Sequence, residues 1–488
     1  MRLAEGEAPV DVVIADGRVA SIATHGSVRP SGAIPNGDIV EAEERLLLPG
    51  LWDEHVHMTQ WALTAARVQL SGAHSAAEAL ALVADALARP GVARPLVGVG
   101  FRDGVWPDAP SRASLDAVSG DHPVVLQSHD IHCAWLNTAA AALLGIAVRP
   151  SADGSLNGAI DDSGLLREGP AFAVAQRVNR MSAEHQDAAV TAAVRAAAAA
   201  GVVGAVDFEM AWNPGEWGRR VSQGLDPLRI EAAVYPDSLD RAEDEGLRTG
   251  DIVHGTGGLV TVGPLKVLID GALNTRTAYC VDPYPDGTRG LLTVQPQALA
   301  ALLRRGARAG FRPAVHAIGD AAITVALDAL ESTGLHGRIE HAQLVADADL
   351  PRFTALGVTA SVQPAHLLDD RDVAERHWPG RTGRAYPFSA LLDAGAPLAF
   401  GSDAPVAPLD PWLAIRAAVT RAAGDEPAWH PEHRIPVAAA LAAATRGRTR
   451  VRVGDPADLV LIEEPVERMH ASGVAATMLG GRFTHRRI

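Results

Sequence analysis

The chain has 488 residues, of which 48% are hydrophobic and 21% charged. This is ordinary globular usage, which excludes a disordered or fibrous protein and allows about three domains or one large barrel with appendages. No apolar run reaches the length of a membrane span, the opening MRLAEGEAPVDVVIADG lacks the apolar stretch of a signal peptide, and a net charge of −15 disfavours a general nucleic-acid binder. The expectation is a soluble, cytoplasmic protein acting on a small-molecule substrate, without nucleic-acid or membrane partners; a homo-oligomer is left open. Only Cys133 and Cys280 are present, far apart, which argues against a disulfide framework or a thiolate zinc site.

In chain order, VDVVIADGRVASIA carries a turn between two short alternating runs. ADLVLIEEP and TMLGGRF near the C-terminus provide a counterpart. Neither end can bury a core alone, so 1–50 and 445–488 are expected to form one small β domain from both termini. Between them stand eight β-rich runs: 46–57, 201–209, 228–236, 258–270, 311–319, 338–345, 358–364 and 396–406. Ala-rich helical patterns at 186–200, 320–332 and 411–423 interleave with them. Strand followed by helix, repeated in this way, predicts an α/β fold of the (β/α)8 TIM-barrel type over 51–57 and 186–444, with its active site at the C-terminal ends of the strands. The first and second runs are too far apart for one βα unit. Residues 58–185 are therefore expected to be an insertion with its own strands, PLVGVGF and HPVVLQSHD, leaving the barrel at its catalytic end and covering the site.

The 18 histidines mean little singly; their placement matters. His55 and His57 close the first run two residues apart, and period-2 geometry would point both to one face. Lys266 lies in the fourth run, His316 at the end of the fifth, His341 in the sixth and Asp403 at the end of the eighth. Six candidate ligands thus sit near the C-terminal ends of five strands. Imidazoles and carboxylates without cysteine suit zinc or a similar divalent ion. Lys and Arg total 43, yet Lys266 is the sole lysine. Codon bias explains an Arg-rich chain, but Arg cannot shed its proton to become a nucleophilic amine and Lys can, so Lys266 reads as a lysine kept for chemistry.

DEHVH, the strand-borne Lys266, AVHAIGD, RIEHAQL and GSDAPV together resemble the metal-binding signature of the amidohydrolase superfamily. LKVLIDGALNTRTA, SVQPAHLLDD, the segment Trp429 to Arg434 and the closing GDPADLVLIE resemble its family 3, which includes N-substituted formamide deformylases. The resemblance spans essentially the whole chain. It implies one or two divalent ions, zinc fitting best. His55, His57 and Asp403 would hold one, His316 and His341 the other, and Lys266 would bridge them as a carbamate formed with CO2. Asp403 would act as general base and then acid, in hydrolysis of a non-peptide C–N bond of an N-substituted amide or formamide. Esters, lactones, carbamates or phosphoesters on the same site, and a non-catalytic scaffold, are the alternatives. Substrate contacts are expected from Trp106 and His132 in the insertion, where Asp130, Trp135 and Asn137 also qualify, and from Arg276, with Asn274 beside it, Gln363 and His366. The competing roles are packing of the insertion's own core for the first group and, for Arg276, an ion pair with a loop acid. Asp320 reads as a helix cap or a support behind the ligands.

Overall fold

The computed structural model describes all residues except 28–38, 66, 90, 91, 93, 102, 104, 105, 129–132, 149–158, 161, 168, 180–182 and 275. Asp130 and His132 therefore lie outside the described residues.

Eight parallel strands follow one another in chain order: β1 (Leu51–Val56), β2 (Val202–Asp207), β3 (Arg229–Val234), β4 (Val260–Leu268), β5 (Pro313–Ala317), β6 (Arg338–His341), β7 (Thr359–Val362) and β8 (Leu398–Phe400). Closure falls just beyond β8, where the Asp403 amide donates to the His55 carbonyl at 2.6 Å and the His57 amide to that of Ala404 at 2.9 Å. The fold is a TIM barrel. Strands covered on both faces need near-continuous apolar sequence, and β2, VVGAVD, is buried at every position.

Two elements differ from the sequence reading. The run 46–57 is two strands: Leu46–Pro49 pairs antiparallel with Leu459–Ile462, and the barrel strand starts only at Leu51. Gly50 makes the crossing because a Cβ there would lie 2.3 Å from Val203 Cγ1. The helix expected over 411–423 spans Pro411–Thr420, started by the Asp410 carboxylate accepting from the amides of Trp412 and Leu413 and stopped at Arg421, which has a left-handed φ of 54°.

Outside the barrel, Leu46–Pro49, Leu459–Ile462, Val474–Leu479 and Arg482–Arg486 form a four-stranded sheet, and Val10–Ala15 pairs with Arg18–Thr24 in a hairpin. Their apolar faces share one core containing Leu3, Val19, Leu47, Leu459 and Ala475, so strands from both ends of the sequence are packed together.

The chain divides into two compact units, one of Met1–Gln60 with Thr191–Ile488, the other Trp61–Val190. The second unit has its own five-stranded sheet, in the order Leu165–Arg167, Cys133–Leu136, Val124–Ser128, Leu96–Phe101, Val68–Gln69. Asn137 holds its centre. Its Oδ1 accepts from the amides of Val124 (3.0 Å) and Ala140 (2.8 Å), and its Nδ2 donates to Ser119 Oγ and the His122 carbonyl, both at 2.8 Å. Asn137→Ala strands these groups in a buried site, so the urea midpoint should fall by the equivalent of about 2–4 kcal/mol; a change below about 0.5 kcal/mol would contradict this role. No helix among the described residues is long and apolar enough to cross a membrane.

Candidate metal centre

The side chains that converge at the C-terminal ends of the strands come from five of them. His55 ends β1 and is 1% exposed. Between Asp53 and Val56 the register with β2 slips by one residue, a bulge that buries the consecutive side chains Glu54 and His55 and lets each meet a partner on β6. Asp53, also buried, fastens this corner: its Oδ1 accepts from the His55 amide at 3.1 Å and from the Ser402 amide at 2.9 Å, linking β1 to the turn that carries Asp403.

His55 Nε2 and His57 Nε2 each lie 3.4 Å from the same Asp403 oxygen, Oδ1. That spacing is longer than a good hydrogen bond. It matches the edge of a tetrahedron whose corners are about 2.0–2.2 Å from a zinc ion, roughly 3.3–3.5 Å. His55, His57 and Asp403 are therefore one triad able to hold a metal; His341, His366 and Asp403 are a second. His366 Nε2 is 3.8 Å from Asp403 Oδ2, so the two carboxylate oxygens face different imidazoles. His57 Nδ1, His341 Nδ1 and His366 Nε2 are buried with no hydrogen-bond partner among the described residues. At His341 and His366, orphaned imidazole nitrogens beside an ionised carboxylate are the condition a metal relieves, whereas the orphaned nitrogen of His57 is the one opposite the Nε2 that faces Asp403.

Electrostatics prepare the same state. Burial, followed by the Lys266 charge, pushes His55 down to about 4 and His316 to about 3; burial and then His316 hold His341 well below the usual histidine range. Burial would raise Asp403, but His55, His57, His341 and His366 outweigh it and keep its carboxyl well below the ordinary range. Burial thus favours neutral imidazoles at His55, His316 and His341; at His57 burial is outweighed by the hydrogen bond and charge of Asp403, which raise it, so a divalent ion there would take the place of a proton shared with that carboxylate. His341 and Asp403 also sit at left-handed φ values of 76° and 56°; strain of this kind concentrates at functional sites.

Lys266, in β4, is 1% exposed. Its Nζ lies 3.3 Å from His55 Nε2 and 4.1 Å from the centre of the Phe208 ring. Burial lowers it to about 8 against the pull of Glu340 and Asp403. Burial thus works against the ammonium form of Lys266, while Glu340, Asp403 and the Phe208 ring favour it.

The remaining residues predicted from sequence divide. His316 is 4.5 Å from His341 between ring centres, but its Nε2 faces the Gly271 carbonyl at 3.3 Å and Asp270 Oδ1 at 3.4 Å, and it joins neither triad. Gln363 is buried, with its amide on the Ser361 carbonyl at 3.4 Å. Arg276 is about half exposed and paired with Asp286 at 2.7 Å, the loop acid foreseen as its alternative. Asp320 stands in the first turn of its helix and accepts from the Val281 amide and from Arg384, while Gly319 is the cap residue. Trp106 packs on Phe101 and Trp135 and donates from Nε1 to the Ala73 carbonyl, and Trp135 is fully buried. Asn274 is exposed.

Sequence reasoning missed Glu340, which accepts from His55 Nδ1 through Oε2 at 2.7 Å and is wholly buried. It also missed Asp270, whose carboxylate gathers the amides of Ile318, Gly319 and Tyr279. The available signal for Glu340 was an acid one residue before a candidate ligand inside an apolar strand.

A family model described as the amidohydrolase family matches residues 38–485, and the chain belongs to that family. It is 29% identical to the protein LONG AFTER FAR-RED 3 of Arabidopsis thaliana, over 96% of this chain and 87% of that one. With an N-substituted formamide deformylase of Arthrobacter pascens it shares 24% identity, over 84% and 80% respectively. Among solved structures it superposes on an uncharacterized metal-dependent hydrolase from Pyrococcus horikoshii OT3 with a TM-score of 0.79 and 27% identity, covering 95% of both chains.

Proposed function

We propose that the protein is a metal-dependent hydrolase of a non-peptide C–N bond, with an N-substituted amide or formamide as its substrate. The observation that carries this reading is the pair of 3.4 Å separations from His55 and His57 to one Asp403 oxygen. Zinc fits best, at one or two ions per chain. His55, His57 and Asp403 would hold the first, His341 and His316 the second, the His316 ring turning its Nε2 away from the Gly271 carbonyl to do so, and Lys266, as a CO2-derived carbamate, would bridge them. A divalent ion in such a site acidifies water and polarises a carbonyl oxygen.

The chain's own groups supply the rest. Asp403, kept anionic by its imidazoles, accepts the proton of the attacking water and returns it to the departing nitrogen, so that an amine leaves in place of an amide anion. The free Nε2 of His366, facing the other Asp403 oxygen, is available to donate to the substrate. The preference for an N-substituted amide or formamide rests on the similarity to the Arthrobacter pascens deformylase. A panel of N-formyl and N-acyl amines with matched esters and lactones, assayed with zinc-loaded protein, tests it. The amides are expected to turn over with kcat/KM at least about tenfold above the esters, a difference of about 1.4 kcal/mol in barrier. Turnover of esters or lactones alone would reject the C–N assignment.

A further inference from the structure

A chain of ion pairs, buried at Glu54 and Glu340 and partly exposed at Arg446 and Glu231, runs from β3 through β1 and β6 to His55. Arg446 Nε meets Glu54 Oε1 at 2.5 Å, and its NH1 meets Glu231 Oε1 at 2.6 Å. Arg338 NH1 meets Glu54 Oε2 at 2.8 Å; its NH2 donates to the Glu54 carbonyl and to Ser361 Oγ, both at 2.7 Å. Arg338 Nε donates to Glu340 Oε1 at 2.5 Å, and Glu340 Oε2 accepts from His55 Nδ1 at 2.7 Å. Glu54, Arg446 and Arg338 also line a cavity of about 720 Å³ beside the first residues of β6, β7 and β8, so the network connects that end of the barrel with the histidines.

We infer that Glu340 and Arg338 are positioning residues: together they fix which nitrogen of His55 carries the proton, and so leave Nε2 as the bare ligand atom. The inference rests on the metal-centre reading above.

Hydrogen-bond donors and acceptors around His55 set its tautomer. Both oxygens of Glu340 are engaged by donors, Arg338 Nε–H on one side and His55 Nδ1–H on the other. An ionised carboxylate can accept from both, whereas an amide has one accepting oxygen and one donating nitrogen. With Gln at 340, the permanently charged Arg338 retains the oxygen, because that bond is charge-assisted. The amide NH2 then faces His55 Nδ1, which must become the acceptor. His55 moves its proton to Nε2, on the side of Asp403 and Lys266, and no longer offers a lone pair there. Arg338 prevents Glu340 from turning away because all three of its nitrogens are committed to fixed partners. Lysine at 338 keeps the charge but cannot reach Glu54, Ser361 and Glu340 together.

Cobalt(II) is the probe, read by its d–d absorption and by competition with a chromophoric chelator, alongside thermal unfolding of the metal-free protein. Glu340→Gln should weaken the first equivalent of cobalt about 10–100-fold, the usual loss when a ligand's supporting partner is removed, and alter the d–d bands as one imidazole leaves. Arg338→Lys should move both readouts in the same direction by a smaller factor. Wild-type affinity and spectrum in both variants would overturn the inference. So would metal-free variants already unfolded at the assay temperature, since the pair would then be a scaffold and not a positioning device. A wild-type protein that takes up no cobalt overturns the metal reading itself and this inference with it, a result distinct from the other two.

Discussion

His57→Ala should abolish stoichiometric metal binding at the first triad and lower kcat/KM on the order of 10³-fold or more, since several kcal/mol of transition-state stabilisation are lost with the ion. It is the cleaner of the two possible histidine variants. His57 Nδ1 has no hydrogen-bond partner among the described residues, so truncation removes a ligand without orphaning another group. His55→Ala should lose metal equally but also strands Glu340 Oε2 in a fully buried position, so it should lower the unfolding temperature as well. Inductively coupled plasma analysis of dialysed proteins, with steady-state rates on the best amide from the panel, checks both effects. A His57→Ala protein that keeps its full metal content and rate would remove the first triad from the reaction.

Lys266→Arg should be as inactive as a ligand deletion although it keeps a basic residue. The guanidinium stays protonated, cannot form a carbamate under ordinary conditions and would set a cation within reach of His55 Nε2, where Lys266 Nζ now stands at 3.3 Å. Lys266→Ala should also be inactive in buffer, for a different reason: it leaves a buried space beside Phe208 with no anion to bridge the ligands. A small carboxylate such as acetate or propionate fits that space and can stand in for the carbamate oxygens. Partial recovery of activity and metal content by the Ala variant with added acid and zinc is expected, with none for the Arg variant. Equal rescue of both, or wild-type activity of Lys266→Arg, would exclude the carbamate. The histidines and Asp403 would then remain as a simpler metal site.

The order of strands was legible because each barrel strand is a short apolar run bounded by turn residues, a pattern that survives without tertiary information. His55, His57, His341 and Asp403 were legible for a related reason: they fall at the C-terminal ends of those runs, where a barrel collects its functional groups. What escaped depends on register and on contacts distant in sequence. Period-2 alternation placed His55 and His57 on one face, but the slip between Asp53 and Val56 also buries Glu54 beside His55, and no single-strand pattern encodes it. Glu340 lies 285 residues from His55, and Arg446 lies 392 from Glu54; such pairs become visible only when the barrel closes. The residues expected from the insertion illustrate the opposite case. Trp106 and Asn137 carry side chains that suit a pocket, yet the small five-stranded unit needs an aromatic core and a capped centre of its own, and those demands use both.

X-ray anomalous difference density, recorded on either side of the zinc absorption edge from crystals of active, zinc-loaded protein, tests the metal assignment most directly. A peak bonded to His55 Nε2, His57 Nε2 and an Asp403 oxygen is expected, with extra density on Lys266 Nζ reaching towards it. An active crystal with no anomalous peak at that triad would contradict it.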